Sequence, residues 1–334
     1  MGKQDPKAYE RPMSKNTDTI IDREVSDKVL QCDVQDATGL NDFQKLPARQ
    51  GIAIPRVGIS RFRLPLNFKH RDGQLMNHDC EASMYVNCPA GKTGINMSRL
   101  CAILQDEGAN RPACPTFFKS VLSRFRSELR DEDSEDKLAD AFLKVQLSYP
   151  IKQLSLKSHN WGWQYYRTTL EGRETKESGL RLYMTVEYEY SSTCPCSLSM
   201  AKQYEADFAA GLTDEGKGIA VAHGQRSRAT VKIELAANAA FAIEELIDLI
   251  RLAIPTETQS LVKRIDEQAF AILNGSNPMF VEHASKRLFK VLEEEQRIAD
   301  WIVTLEHFES LHSHNAVAVI KKGIPGGLNA DPVF

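Results

Sequence analysis

Between Arg181 and Tyr190 the chain alternates without interruption. Leu182, Met184, Val186, Tyr188 and Tyr190 fall on one side, and Arg181, Tyr183, Thr185, Glu187 and Glu189 on the other. Successive side chains of an extended chain point to opposite faces, so a period of two specifies a half-buried strand rather than an amphipathic helix. Such a strand needs ladder partners and a layer to cover its apolar face. Thr230–Leu235 reads as a second strand, and Arg61–Phe68 shows the same strict alternation near the start of the chain. Pro65 lacks a ladder donor, which places that segment at a sheet edge or on a bulge. Gly73 marks a turn, and Cys80–Cys88 supplies the returning strand.

Helical periods lie between the strands. Met97–Gln105 is one helix; a second begins at Pro115 and puts Phe117, Val121, Phe125 and Leu129 on one face. Strand-like segments follow at 145–156 and 160–171, with a charged connector at Gly172–Gly179. After the 181–190 strand comes a long connection, 192–227, of the kind that tends to be functional in compact domains. Helices are expected at Ile243–Ile250, 257–273 and 279–296, then strands at 298–309 and 314–321. The order is strand, strand, helices, strand, strand, performed twice. No residue-level repeat accompanies it, so the duplication is one of architecture. Hairpins alternating with helix pairs indicate an α+β protein with antiparallel sheet. Three segments follow: a polar arm over 1–48, a first unit over 49–175 and a second over 176–334. The run Arg130–Asp136 reads as a solvated turn.

Composition sets limits on function. Lys plus Arg number 42 against 45 Asp plus Glu, a net charge of −3, so no global basic field favours nucleic acid. No apolar stretch reaches the roughly 20 residues of a membrane helix, and the first residues lack a signal peptide's apolar core. A cytoplasmic protein with no membrane partner is expected. The seven cysteines are scattered and odd in number, unlike a secreted disulfide framework.

Few segments could carry chemistry. Thr193-Cys194-Pro195-Cys196-Ser197 follows the best strand. A thiolate suits zinc or a similar divalent ion; a redox pair or a plain structural turn is also open, although one intervening residue is tight for a disulfide. His223 stands at the far end of the same connection, in a polar cluster with Gly224, Gln225, Arg226 and Ser227. Asp266 and Glu267 sit on a helix, about 100° apart, and read most simply as a solvated acidic pair. Glu282, near a helix start, could accept two hydrogen bonds from a guanine edge or simply favour the helix dipole. His312 and His314 share a side if the chain there is extended, and imidazoles suit proton transfer.

Together these segments closely resemble the type B family of GTP cyclohydrolase I. The matching pieces are Gly94–Leu100, Thr193–Ser197, His223–Ser227, Asp266–Phe270, Asn277–Glu282 and Phe308–His314, in the family's order from about residue 50 onward. The resemblance implies tandem tunnelling-fold (T-fold) units, with antiparallel sheets, helix pairs on one face and a barrel completed by oligomerisation into a homotetramer with interface active sites. It implies conversion of GTP and water to 7,8-dihydroneopterin triphosphate and formate, the first step of folate-type pterin synthesis. Cys194, His223 and Glu267 then match the metal ligands, Glu282 the guanine anchor and His312 an active-site histidine, with His314 close by. Cys196 matches the second cysteine, outside the ligand set. Arg99 and Arg226 are candidates for the triphosphate, as are Lys263 and Arg264. Two departures stand out: an insertion around Tyr204–Gly218, and His283 where an acid is more usual.

A thiolate, an imidazole and a carboxylate leave one position open for water, whose pKa a divalent ion lowers. One oxygen ligand in the set favours exchange among Zn, Mn and Fe. His312 is then the candidate proton shuttle. The rival readings are another tunnelling-fold enzyme acting on a pterin or purine, a non-catalytic metal or purine sensor, and a redox protein using Cys194 and Cys196.

Overall fold

The computed structural model describes residues 35, 39–41, 51–129 and 138–329. Most of the 1–48 arm and the run Arg130–Asp136 therefore lie outside the described residues. The chain divides into two units. The smaller comprises 1–54 and 88–95; in it Gln35 bridges Asn41, and the Lys92 N–H closes a turn on the Pro89 carbonyl at 3.0 Å. The larger comprises 55–87 and 96–334 and holds the candidate site.

Eight strands form one sheet in sequence order: β1 (Ile54–Lys69), β2 (Leu75–Cys88), β3 (Asp140–Leu154), β4 (Trp161–Thr175), β5 (Gly179–Thr193), β6 (Gly224–Leu235), β7 (Ile298–His307) and β8 (Ala316–Lys321). The ladders from β2 to β8 are all antiparallel. β1 is an edge strand, which is where Pro65 requires it to be, and Gly73 takes φ +83° in the turn that joins β1 to β2. Among the described residues the helices are α1 (Met97–Asn110), α2 (Pro115–Glu128), α3 (Pro195–Ala209), α4 (Ile243–Ala253), α5 (Arg264–Ser276) and α6 (Val281–Glu294). None is long and apolar enough to cross a membrane.

The period of two becomes one buried face across the sheet. Met84 lies opposite Leu143, Leu143 opposite Gly172, Gly172 opposite Leu182, and Met184 opposite Ile233, which meets Trp301. Helices from both halves cover this face. A Cβ on Gly172 would come within 2.8 Å of Leu122 and 2.9 Å of Phe118, both on α2. In the second half, Trp301 packs edge-on against Phe289 of α6, with ring centroids 5.4 Å apart. The four-residue spacing of α2 reaches the core as expected, with Phe117, Val121, Phe125 and Leu129 all buried. Each such side chain contributes about 1.5–3 kcal/mol on leaving water.

Three expectations need correction. The 192–227 connection is not one long loop. β5 runs on to Thr193, α3 occupies 195–209, and β6 begins at Gly224. The insertion folds onto that helix: the Tyr204 hydroxyl donates to the Glu215 carbonyl at 2.5 Å and accepts from the Gly218 N–H at 3.1 Å. The helix expected from 257 starts only at Arg264. The β4–β5 ladder ends at Thr168–Val186, and residues 256–258 take over pairing to β5. The Ser191 N–H donates to the Thr256 carbonyl at 2.8 Å and the Thr258 N–H to Glu189 at 3.2 Å. Glu257 is buried there against Arg251, Gln153 and the Tyr166 hydroxyl, so a helix at 257 would break a satisfied ionic cluster. Finally, Gly172–Thr175 belongs to β4, leaving only 176–178 as the connector.

Candidate active site

One corner of the sheet gathers the end of β5, the start of β6 and the end of β7. The Cys194 N–H donates to the His223 carbonyl at 3.2 Å, which ties the two residues across the mouth of the α3 excursion. Cys194 is the N-cap of α3 and Pro195 the first helical residue. Proline fits there because that N–H has no helical acceptor and its φ is already helical. A helix start also favours negative charge, which suits a thiolate. The His223 N–H donates to Ser197 Oγ at 3.2 Å, fixing the returning chain against the first turn of α3. The Met279 N–H donates to the Thr193 carbonyl at 3.0 Å, so the segment leading into α6, with Glu282 in its first turn, sits beside Cys194. Just past the end of β7 comes Glu309, whose Oε2 lies 3.9 Å from His223 Nδ1 and is buried without a hydrogen-bond partner.

A buried polar chain lies beneath this corner. Ser192 Oγ is 2.8 Å from Ser227 Oγ, 2.9 Å from Gln225 Nε2 and 3.2 Å from His307 Nδ1. His307 Nε2 in turn meets the Tyr190 hydroxyl at 2.9 Å. All five side chains are buried. Burial pushes the His307 imidazole down to about 4 and outweighs the opposing pull of the Glu282 charge, so the ring is neutral at physiological pH. Gln225 and Ser227 fall in the His223–Ser227 segment, whereas Tyr190, Ser192 and His307 lie in none of the motifs. Their signal is parity: Ser192, Gln225, Ser227 and His307 are polar at positions where the apolar alternation calls for a core side chain.

The remaining candidates fall elsewhere. Asp266 and Glu267 are not an equivalent solvated pair. Asp266 is fully buried and accepts from the N–H groups of Lys157, Ser158 and Lys263 and from the Ser158 hydroxyl. Burial works to raise its pKa, but those bonds win and hold the carboxyl well below its ordinary value. Glu267 is exposed. His312 and His314 lie in the β7–β8 connection rather than in a strand, exposed, with rings stacked at 4.9 Å. Arg226 projects from the sheet face opposite Gln225, half-paired with Glu189 at 3.5 Å. Arg99 is held in the first helix pair, donating to the Glu128 carbonyl at 2.7 Å. Cys196 is exposed in the first turn of α3. His283 takes over the role of an acid at its position, its Nδ1 accepting from the Phe280 N–H at 3.3 Å as in a capping box.

A cysteine and a histidine joined through the backbone, with an unsatisfied buried carboxylate oxygen 3.9 Å from the imidazole, supply donors of the kinds that suit a divalent cation. Among the described residues, no three His, Cys, Asp or Glu side chains are close enough to share one. Glu267 therefore does not join Cys194 and His223 in this single chain. The chain also holds a cavity of about 660 Å³ lined by Phe68, Phe118, Tyr149, Tyr183 and Phe241; neither Cys194 nor His223 lines it.

Comparison with known proteins identifies the family. Residues 40–318 match the family described as type I GTP cyclohydrolase folE2. The chain belongs to the FolE2 family. GTP cyclohydrolase FolE2 from Cereibacter sphaeroides is 37% identical over 294 residues, 85% of this chain and 76% of that one. The Dinoroseobacter shibae FolE2 is 40% identical over 81% and 70%, and that of Hydrogenovibrio crunogenus 36% over 83% and 92%. Uricase from Arthrobacter globiformis superposes with a TM-score of 0.50 at 8% identity, covering 83% of this chain and 96% of its own. That likeness bears on the fold alone. Cys194, His223 and Glu282 thus lie at one corner of a FolE2 chain, and Glu309 was the acid there that sequence reasoning overlooked.

Proposed function

We propose that this FolE2 chain converts GTP and water to 7,8-dihydroneopterin triphosphate and formate at the Cys194–His223 corner. The observation that carries the reading is the backbone bond that seats Cys194 and His223 side by side at a helix start, in a chain of this family. Cys194, His223 and Glu267 would hold one divalent ion, Zn, Mn or Fe, whose chemistry when bound is to polarise substrate and lower the pKa of water. Glu282, in the first turn of α6, would accept the two N–H hydrogen bonds of the guanine edge. His312 or His314 would carry the protons of ring opening and closure.

The scatter of the other candidates supports an assembled site. Glu267, Arg226 and the His312–His314 pair are all exposed, and Arg99 lies in the first helix pair. The assembly proposed is a homotetramer in which copies close the sheet into a barrel, with tandem units 49–175 and 176–334 in each chain. Arg99 and Arg226 would then meet the triphosphate as charge-assisted donors. The test is formate release from GTP by the full chain, stripped of metal and then reloaded. Loss on stripping, recovery on reloading, and loss in Cys194→Ala with the oligomer intact are expected. Unchanged turnover in Cys194→Ala would overturn the reading.

A further inference from the structure

We infer that Gln225 is a positioning residue that decides which nitrogen of His223 is free to bind a cation. The inference rests on His223 as a ligand, proposed above. Gln225 is the second residue of β6, buried, and shares a sheet face with Ser227. A surface glutamine turns freely about its terminal bonds; this one is held at both ends. Its Nε2 donates to Ser192 Oγ at 2.9 Å, and its Oε1 lies 3.3 Å from His223 Nδ1. Ser192 is itself fixed by Ser227, at 2.8 Å, and by His307, at 3.2 Å, which Tyr190 anchors in turn at 2.9 Å.

The orientation of the amide follows from what else faces His223. Glu309 Oε2 also lies on the Nδ1 side, at 3.9 Å, and a carboxylate only accepts. Turning the amide over would set its NH₂ against Nδ1 and leave the carboxylate facing a ring lone pair. With Oε1 inward, two acceptors converge on Nδ1, so Nδ1 carries the proton and Nε2 presents its lone pair. An imidazole ligand whose other nitrogen donates to a fixed acceptor is oriented and made more basic, and losing that acceptor weakens metal affinity by about 10–100-fold.

The test uses the full-length protein, stripped of metal and titrated with Co²⁺ alone, the cobalt–thiolate absorption reporting occupancy. Solid-state ¹⁵N NMR of the histidine-labelled, metal-free chain reports the His223 tautomer, which a packing defect alone would not move. Gln225→Met is expected to weaken Co²⁺ binding about 10–100-fold and to shift His223 away from the Nδ1–H form. Gln225→Glu keeps an acceptor at Oε1 and is expected to retain most of the affinity. If His223→Ala binds Co²⁺ as tightly as the unaltered protein, the ligand reading itself fails. If His223→Ala loses binding while Gln225→Met keeps both affinity and the Nδ1–H tautomer, only the positioning role is overturned. Equal losses in folded Gln225→Met and Gln225→Glu also overturn it. Where Gln225→Met does not fold, the Glu variant and the tautomer of the unaltered protein decide alone.

Discussion

His307 makes stability depend on acid in a way the fold determines. In the unfolded chain its imidazole titrates near the ordinary value of 6.5; in the folded chain burial holds it down to about 4, against the smaller pull of Glu282. The unfolded state therefore takes up the proton first as pH falls. Stability from this group is complete above about pH 6.5 and is lost as pH drops toward the folded value. The two pKa values differ by about 2.5, worth roughly 3 kcal/mol in full, of which about 2 kcal/mol is gone by about pH 5. Urea unfolding of the unaltered protein and of His307→Gln, at roughly pH 7.5 and pH 5, isolates this contribution. Near pH 7.5 the Gln variant is expected to be weaker by about 1–2 kcal/mol, from poorer bonds to Tyr190 and Ser192. Near pH 5 that gap closes or reverses, because only the unaltered protein is penalised by a proton seeking a buried site. A gap that stays constant between the two pH values would refute the assignment of His307 as a neutral, buried base.

Further expectations follow from the same geometry. Glu267→Gln leaves the urea midpoint unchanged to within about 0.5 kcal/mol, as for an exposed side chain, but lowers metal-dependent formate release more than about a hundredfold, beyond what outer-shell changes cause. Its neighbour behaves oppositely. Asp266→Asn lowers the midpoint, and because the folded carboxyl titrates low, the loss is greatest at neutral pH and fades as pH falls below the ordinary carboxylate range. Gly172→Val drives methyl groups into Leu122 and Phe118 and costs about 1–3 kcal/mol in thermal unfolding, with no change in metal affinity. The stripped enzyme regains activity with more than one of Zn, Mn and Fe(II); strict zinc dependence would exclude Glu267 as an exchange-permitting oxygen ligand.

Much of this protein was legible in its residues because the relevant physics is local. The alternation of 181–190 specified a strand with one buried face, and Pro65 placed its own strand at an edge, since both follow from backbone geometry and a missing donor. The ordered motifs named the chemistry and led to Cys194 and His223. Tertiary structure decided what local rules could not reach. Pairing to β5, a contact across sequence, kept 257–263 out of a helix. Turn contacts separated Asp266 from Glu267, burying one on the N–H groups of residues about a hundred positions away and leaving the other exposed. Above all, the register of β5, β6 and β7 stacked Ser192, Gln225, Ser227 and His307 beneath His223. Each is an ordinary polar residue alone, and only pairing across three strands makes them one buried chain.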